Sequence, residues 1–289
     1  MEILLQHIVN GLLTGSTYAV VAVGFALTFS VLRVINLAHP DVFMLAMFFG
    51  LVTVSALTQN FFVVLLMAAL GALVVGLAIE RLVLRPLRGT HMFMPLIATA
   101  GVSIFLQYTT EAIFGPDQLG FPRIVPFATL QLGNITVTSL QLVTFAIAML
   151  VLFIASFYVR RTKWGLAARA VAERPDVAAT FGADVNRVAQ ITVGLSSIMA
   201  GAAGVGIAVQ YGSAWSFIGL LYGLKSFVCM LVAGNRHIEA VMAIGLLLGV
   251  MEAITVAYVS SSLRDAVAFV VLIVVLFFRP DGLFGSYTA

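Results

Sequence analysis

The chain has 289 residues, of which 62% are hydrophobic and only 9% charged, and its mean hydropathy is +1.11. So little polar surface excludes a soluble globular domain, and the lack of any basic cluster interleaved with stacking aromatics excludes a nucleic-acid binder. The net charge of +3 comes from arginines lying between apolar blocks, as in a membrane protein with basic loops on one side.

Apolar blocks near the ~20 residues needed to cross a ~30 Å hydrocarbon core recur along the whole sequence. Spans are predicted at about 4–32, 36–58, 61–84, 93–114, 139–159, 188–210, 217–233, 238–259 and 265–279. The seventh is short, and a re-entrant segment near 216–234 is the alternative to a ninth crossing. The expected fold is all-α and polytopic, one domain over 1–289 with eight or nine transmembrane helices. The first block has no basic leader and is longer than a signal peptide's, so it reads as a retained span. Arg33, then Arg81, Arg85 and Arg88, then the 160–187 stretch, then Arg236 and Arg279 alternate with loops holding few basic residues. The positive-inside rule therefore puts the N-terminus outside and the C-terminus in the cytoplasm.

The first span carries Asn10, Gly11, Thr14, Gly15, Ser16, Thr17 and Tyr18 in an otherwise apolar helix. Such groups face a neighbouring helix or line a wet path. Gly11 with Gly15, Gly219 with Gly223, and Gly245 with Gly249 have the spacing that lets helix backbones approach closely, and packing is the plainer reading of each. At the next junction, Pro40 biases His39 away from helix, so Asn36, His39 and Asp41 either gate a path or form a cap and turn. Neither His39 nor Asp41 has the company a metal site needs. Glu80, Arg81, Arg85 and Arg88 read as an ion pair with interfacial anchors. Residues 115–138 are long enough for an external loop with local structure.

The longest charged stretch follows, from Arg160 to Arg187. Trp164, Ala167, Ala168 and Val171 line one helical face, while Arg169 and Glu173 lie on the opposite side. Pro175 suits the first turn of a second short helix carrying Val177, Ala178 and Phe181, which Gly182 stops. Further on, Lys225 lies inside an apolar block and needs water, a partner or the interface. Its surroundings lack the preceding glycine and strand of a phosphate-binding loop. Glu239 and Glu252 are candidates for paired or cavity-facing groups. Cys229, the single cysteine, reads as packing. No nucleophile elbow, metalloprotease helix or Cys–His cluster appears, so catalysis has no support in the sequence.

Five of these stretches, in this order, resemble the smaller of the two paired permeases of high-affinity branched-chain amino acid importers of the ATP-binding-cassette class. They are Asn10-Gly11 through Gly15-Ser16-Thr17-Tyr18-Ala19; Ile35-Asn36-Leu37-Ala38-His39; Ile79-Glu80-Arg81 with Arg85-Pro86-Leu87-Arg88; Trp164-Gly165 through Arg169 and Glu173 with Gly182; and Gly223-Leu224-Lys225-Ser226-Phe227. The resemblance implies that Trp164, Gly165, Ala168, Arg169, Glu173 and Gly182 belong to a cytoplasmic coupling region, about 160–187, that docks on an ATPase. It implies a related second permease, two ATP-binding subunits and a periplasmic substrate-binding protein, in the bacterial cytoplasmic membrane. ATP and magnesium are expected in the partner subunits, and no cofactor in this chain. Candidate translocation-path residues are Asn10, Thr14, Ser16, Tyr18, Asn36, His39 and Lys225.

Two departures from the family's pattern stand out: Pro40-Asp41 where a glycine and a small residue are usual, and Ala233-Gly234-Asn235-Arg236-His237 in place of a Gly-Gly-x-Gly-Ser stretch. They leave open amides, urea or aromatic carboxylates as cargo. A secondary transporter or channel is the other reading; it predicts two repeat halves and a chain of buried ionisable groups, and the sequence shows no clear internal repeat.

Overall fold

The computed structural model describes residues 2–91, 93–126, 128–132, 135–234 and 238–284. Among them α1 covers Glu2–Leu32, α2 His39–Ala56 and α3 Phe61–Ile79, which runs on into a π-helical turn at Glu80–Leu84. Then come α4 at Phe93–Phe114, α5 at Ser139–Arg161, two short helices α6 (Lys163–Glu173) and α7 (Pro175–Thr180), and α8 at Val185–Tyr211. The described residues end with α9 at Ile218–Ala233, α10 at Ile238–Tyr258 and α11 at Ala266–Phe278. Seven of these helices are long and apolar enough to cross a membrane; α9 and α11 are apolar but shorter. The chain is thus an all-α polytopic membrane protein. The expectations for Asn235, Arg236 and His237 lie outside the described residues.

α1, apolar but for its small polar patch and buried over most of its length, lies in the interior, packed by α10, α8, α9 and α5. By contrast α3, α4 and α5 leave Leu66, Phe105 and Phe153 more than half exposed, a surface suited to lipid. Lipid tails are as apolar as leucine, so the hydrophobic effect does not drive helices together there and close backbone packing does. Glycines supply it along the antiparallel seam of α1 and α10: a Cβ at Gly249 lands 2.4 Å from the Gly15 Cα, and one at Gly11 lands 2.5 Å from the Val250 Cα.

Local signals set the helix ends. The Thr138 side chain accepts from the Gln141 backbone N–H while Gln141 accepts from the Thr138 backbone, a capping box that starts α5. Asp184 caps α8 through the Asn186 and Arg187 backbone N–H groups, and Gly212 at φ +66° ends it. At the far end from the arginine-rich loops, β1 (Leu119–Gly120) pairs with β4 (Ser213–Ala214), and β2 (Thr129–Leu132) forms a hairpin with β3 (Ile135–Thr138). Gln6 ties α1 to that hairpin, its side chain donating to the Thr136 carbonyl at 2.9 Å and accepting from the Thr136 N–H at 2.7 Å.

Two expectations are corrected. Residues 216–234 are not re-entrant: α9 leaves the end where β4 lies, and α10 begins at the arginine-rich end, where Glu239 pairs with Arg160. The sharp return into the bundle lies instead at 33–38, between α1 and α2. His39, expected outside a helix, is the first residue of α2. Pro40 occupies the first turn, where its missing N–H leaves no intrahelical bond unmade.

Candidate transport site and coupling surface

A buried charge cluster joins four helices. The Lys225 ammonium on α9 lies 2.7 Å from Glu252 Oε1 on α10 and 2.8 Å from Asp265 Oδ1 just before α11, and it donates to the Tyr18 hydroxyl of α1 at 3.2 Å. Tyr18 in turn donates to Glu252 Oε2 at 2.8 Å, and Arg264 approaches the same oxygen at 3.3 Å. The lysine and Glu252 side chains are almost wholly buried, whereas Asp265 is half exposed. The partners that Lys225 requires are therefore two carboxylates, one deep and one wet. Aromatics close the cluster inward, Tyr222 packing on Tyr18 and stacking on Phe43 with centroids 5.4 and 5.1 Å apart.

The other polar residues of the first span are satisfied locally. Thr14 donates to the Asn10 carbonyl and Ser16 to the Leu13 carbonyl. Ser16 is buried and Thr14 half-buried, and Asn10 accepts from Gln6 at 3.1 Å. Tyr18 alone of these reaches across to α9 and α10.

A second polar site sits at the start of α2, inside the bundle. Asn36 accepts from the Ala38 N–H and Thr99 of α4 from the Leu37 N–H, both at 3.2 Å, so side chains serve the backbone that the break leaves unpaired. Asp41 Oδ1 accepts from Gln107 of α4 at 2.8 Å. Its Oδ2 and the His39 Nε2 are buried with no hydrogen-bond partner among the described residues. The His39 ring stands edge-on to Phe25 and fills the place of a side chain at Gly24. Pro40 seats on Gly219 and Gly223, where a Cβ would meet it at 2.8 and 2.4 Å. The proline that departs from the family's pattern thus has a matched pair of glycines on α9.

At the arginine-rich end, Arg88 pairs with the fully buried Glu80 of the π-helical turn and donates to Asn186 at 2.6 Å, holding α3 to the start of α8. Nearby, α6 and α7 form an elbow. Thr162 caps α6 by accepting from Gly165 N, and Gly165 permits a contact in which a Cβ would lie 2.0 Å from the Tyr158 carbonyl oxygen. Gly182 turns the chain into α8 at φ +87°.

The buried face of the elbow differs from the expected stripe. Gly165, Ala168 and Val171 point inward, and Ala168, Val171 and Ala178 pack on Val31 of α1 and on Val188 and Ala189 of α8. Trp164 is turned outward instead, because the short reach to the end of α5 fixes the rotation of α6 at Gly165. Arg33, at φ +54°, donates twice to the Ala172 carbonyl, at 3.0 and 2.7 Å, pinning α1 to the elbow. Arg169 and Glu173 are exposed and form no ion pair with each other. The outer surface shows Phe181 at 87% exposure and Leu166 at 62%. The Arg174 guanidinium, 3.5 Å away, holds the Asp176 carboxyl below its ordinary range, as does the Val177 backbone N–H.

Several of these residues escaped the sequence reading. Gln107, a lone amide in an apolar span, was a signal not used; Asp265 and Arg264 carry none, since only folding brings them to Lys225.

A polytopic bundle with a polar patch on its central helix, buried balanced charges and a surface elbow fits a transport permease, and the family match makes the chain a transport subunit, not an enzyme. It belongs to the family described as the permease component of the branched-chain amino acid transport system, whose model matches residues 7–276. Over 97% of the chain and 95% of the relative, it is 32% identical to the high-affinity branched-chain amino acid transport system permease protein BraD of Pseudomonas aeruginosa. The permease protein LivH of Escherichia coli matches with the same identity and coverage. A probable LivH of Methanocaldococcus jannaschii is 27% identical over 73% of the chain. Among solved structures, PsaBC from Streptococcus pneumoniae in complex with Fab aligns over 94% of this chain and 91% of that one, with a TM-score of 0.50 at 12% identity, a likeness of fold.

Proposed function

We propose that this chain is the permease subunit of an ATP-driven importer for branched-chain or related small hydrophobic amino acids. It works beside a related second permease, two ATP-binding subunits and a substrate-binding protein, in a bacterial cytoplasmic membrane with the elbow in the cytoplasm. ATP and magnesium belong to the partner subunits. Support for the cargo comes from the names of relatives that match nearly the full length.

The observation that carries the mechanism is the elbow, bound inward to α1 and α8 and showing Phe181, Leu166 and Trp164 outward among exposed charges. A partner gripping Phe181, Leu166 and Trp164 moves α6, and the Arg33 bonds and the Val31 contact pass that movement to α1. Because α1 holds Tyr18 and the glycine seam, the shift reaches the Lys225–Glu252 cluster and the start of α2. There the unbonded Asp41 Oδ2 offers an acceptor to a solute's ammonium, with apolar walls for its side chain. ATP then biases two arrangements that bind solute differently.

The test replaces Phe181 by alanine and compares assembly with the ATP-binding subunits, ATP turnover and uptake. Lost assembly, or turnover without uptake, is the expected result. Normal values for all three remove the elbow from the mechanism. Ala168→Glu is unsuitable, since Ala168 is packed against its own chain.

A further inference from the structure

Where α1 and α5 end and α10 begins, under the elbow, there is a cavity of about 740 Å³ that the transport reading leaves unused. Arg33, Arg160, Arg161 and Arg169 border it with Glu173 and Glu239, a surplus of two positive charges. Arg33 is spent on the Ala172 carbonyl and Arg160 on Glu239. Arg161 and Arg169 hold no hydrogen bond or ion pair with any described residue. The floor is apolar, made of membrane-spanning positions such as Leu27, Val159 and Val241. Just before Val159, α5 exposes Phe153 and Phe157 at 67% and 54%, so the wall beside the cavity is a lipid-facing one.

We propose that this cavity binds the phosphate headgroup of an anionic phospholipid. The phosphate is forked by Arg161 and Arg169, and the glycerol and upper acyl chains lie on the apolar floor. Arginine presents parallel N–H donors matched to phosphate oxygens, and basic pockets between transmembrane helices are suited to such headgroups. A free anion has the arginines to bind but no use for the floor. The bound lipid would bridge the elbow to α5 and α10. This inference does not depend on which solute is carried.

The full-length chain, purified in neutral detergent, is titrated with dioleoyl phosphatidylglycerol or dioleoyl phosphatidylcholine and read by native mass spectrometry. Phosphatidylglycerol should be retained with a preference on the order of tenfold or more, and Arg161→Gln with Arg169→Gln should remove that preference. Glu173→Gln takes a negative charge from the rim and should raise retention, a change of sign that misfolding cannot produce. Arg81→Gln with Arg85→Gln, at the same end but outside the cavity, should leave retention unchanged. Three results overturn the proposal: displacement of the lipid by millimolar inorganic phosphate, equal loss in both double variants, or no preference for phosphatidylglycerol in the isolated chain.

Discussion

Lys225 exchanges its lost hydration for three oxygens, and the exchange holds only while the deep carboxylate is present. Removing one member of a buried pair strands the other, at about 3–5 kcal/mol, whereas a half-exposed partner is worth about 1 kcal/mol or less. Glu252→Gln should therefore lower the thermal unfolding midpoint of the detergent-solubilised protein far more than Asp265→Asn. Adding Lys225→Met to Glu252→Gln should recover part of the loss, since no buried ammonium is then left uncompensated. Equal midpoints for the two single variants would show that the buried pair does not carry the stability assigned to it. Hydropathy marked Lys225 as needing a partner but left the partner unnamed, because Glu252 and Asp265 meet it only through the packing of α9, α10 and α11.

At the scale of elements, the seam of α1 and α10 depends on contact distance, so it should respond to a single methyl group. Gly249→Ala places a Cβ 2.4 Å from the backbone of Gly15, and the helices must separate along a seam held by dispersion. Gly101, on α4, has open space around its Cβ position, and alanine there gains helix propensity of about 1 kcal/mol. The expected outcome is a sharp loss of folded Gly249→Ala protein by size-exclusion chromatography, with Gly101→Ala at or above the parent's yield. The spacing of Gly11, Gly15, Gly245 and Gly249 announced close packing but not which helix met which. The same limit applies to α6: its amphipathicity is plain in the sequence, yet periodicity cannot say that the apolar face is covered by α1 and α8 of the same chain, nor that Trp164 turns outward. Span positions were legible to within a few residues because hydropathy and caps agree there. The return at 33–38 was not, since an extended stretch inside a bundle has no period to read.

For the whole molecule, the arginine-rich loops and the β2–β3 hairpin lie at opposite ends of the bundle, and the bilayer must fall between them. We propose the orientation that the positive-inside rule favours, with the end bearing Arg88, Arg160 and the elbow in the cytoplasm. The chain provides its own background for testing this, because its one cysteine, Cys229, is fully buried and should be silent to a membrane-impermeant maleimide. Phe181→Cys and Thr129→Cys place thiols at exposed positions of the two ends. In intact spheroplasts the reagent should label Thr129→Cys and spare Phe181→Cys, and in inside-out vesicles the pattern should reverse. Labelling of both variants from one side would mean that the two ends do not lie across a bilayer from each other, and labelling of Phe181→Cys alone in spheroplasts would turn the molecule over. In that second case an ATP-binding partner in the cytoplasm could not reach the elbow, so the topology of two thiols bears directly on the drive proposed for transport.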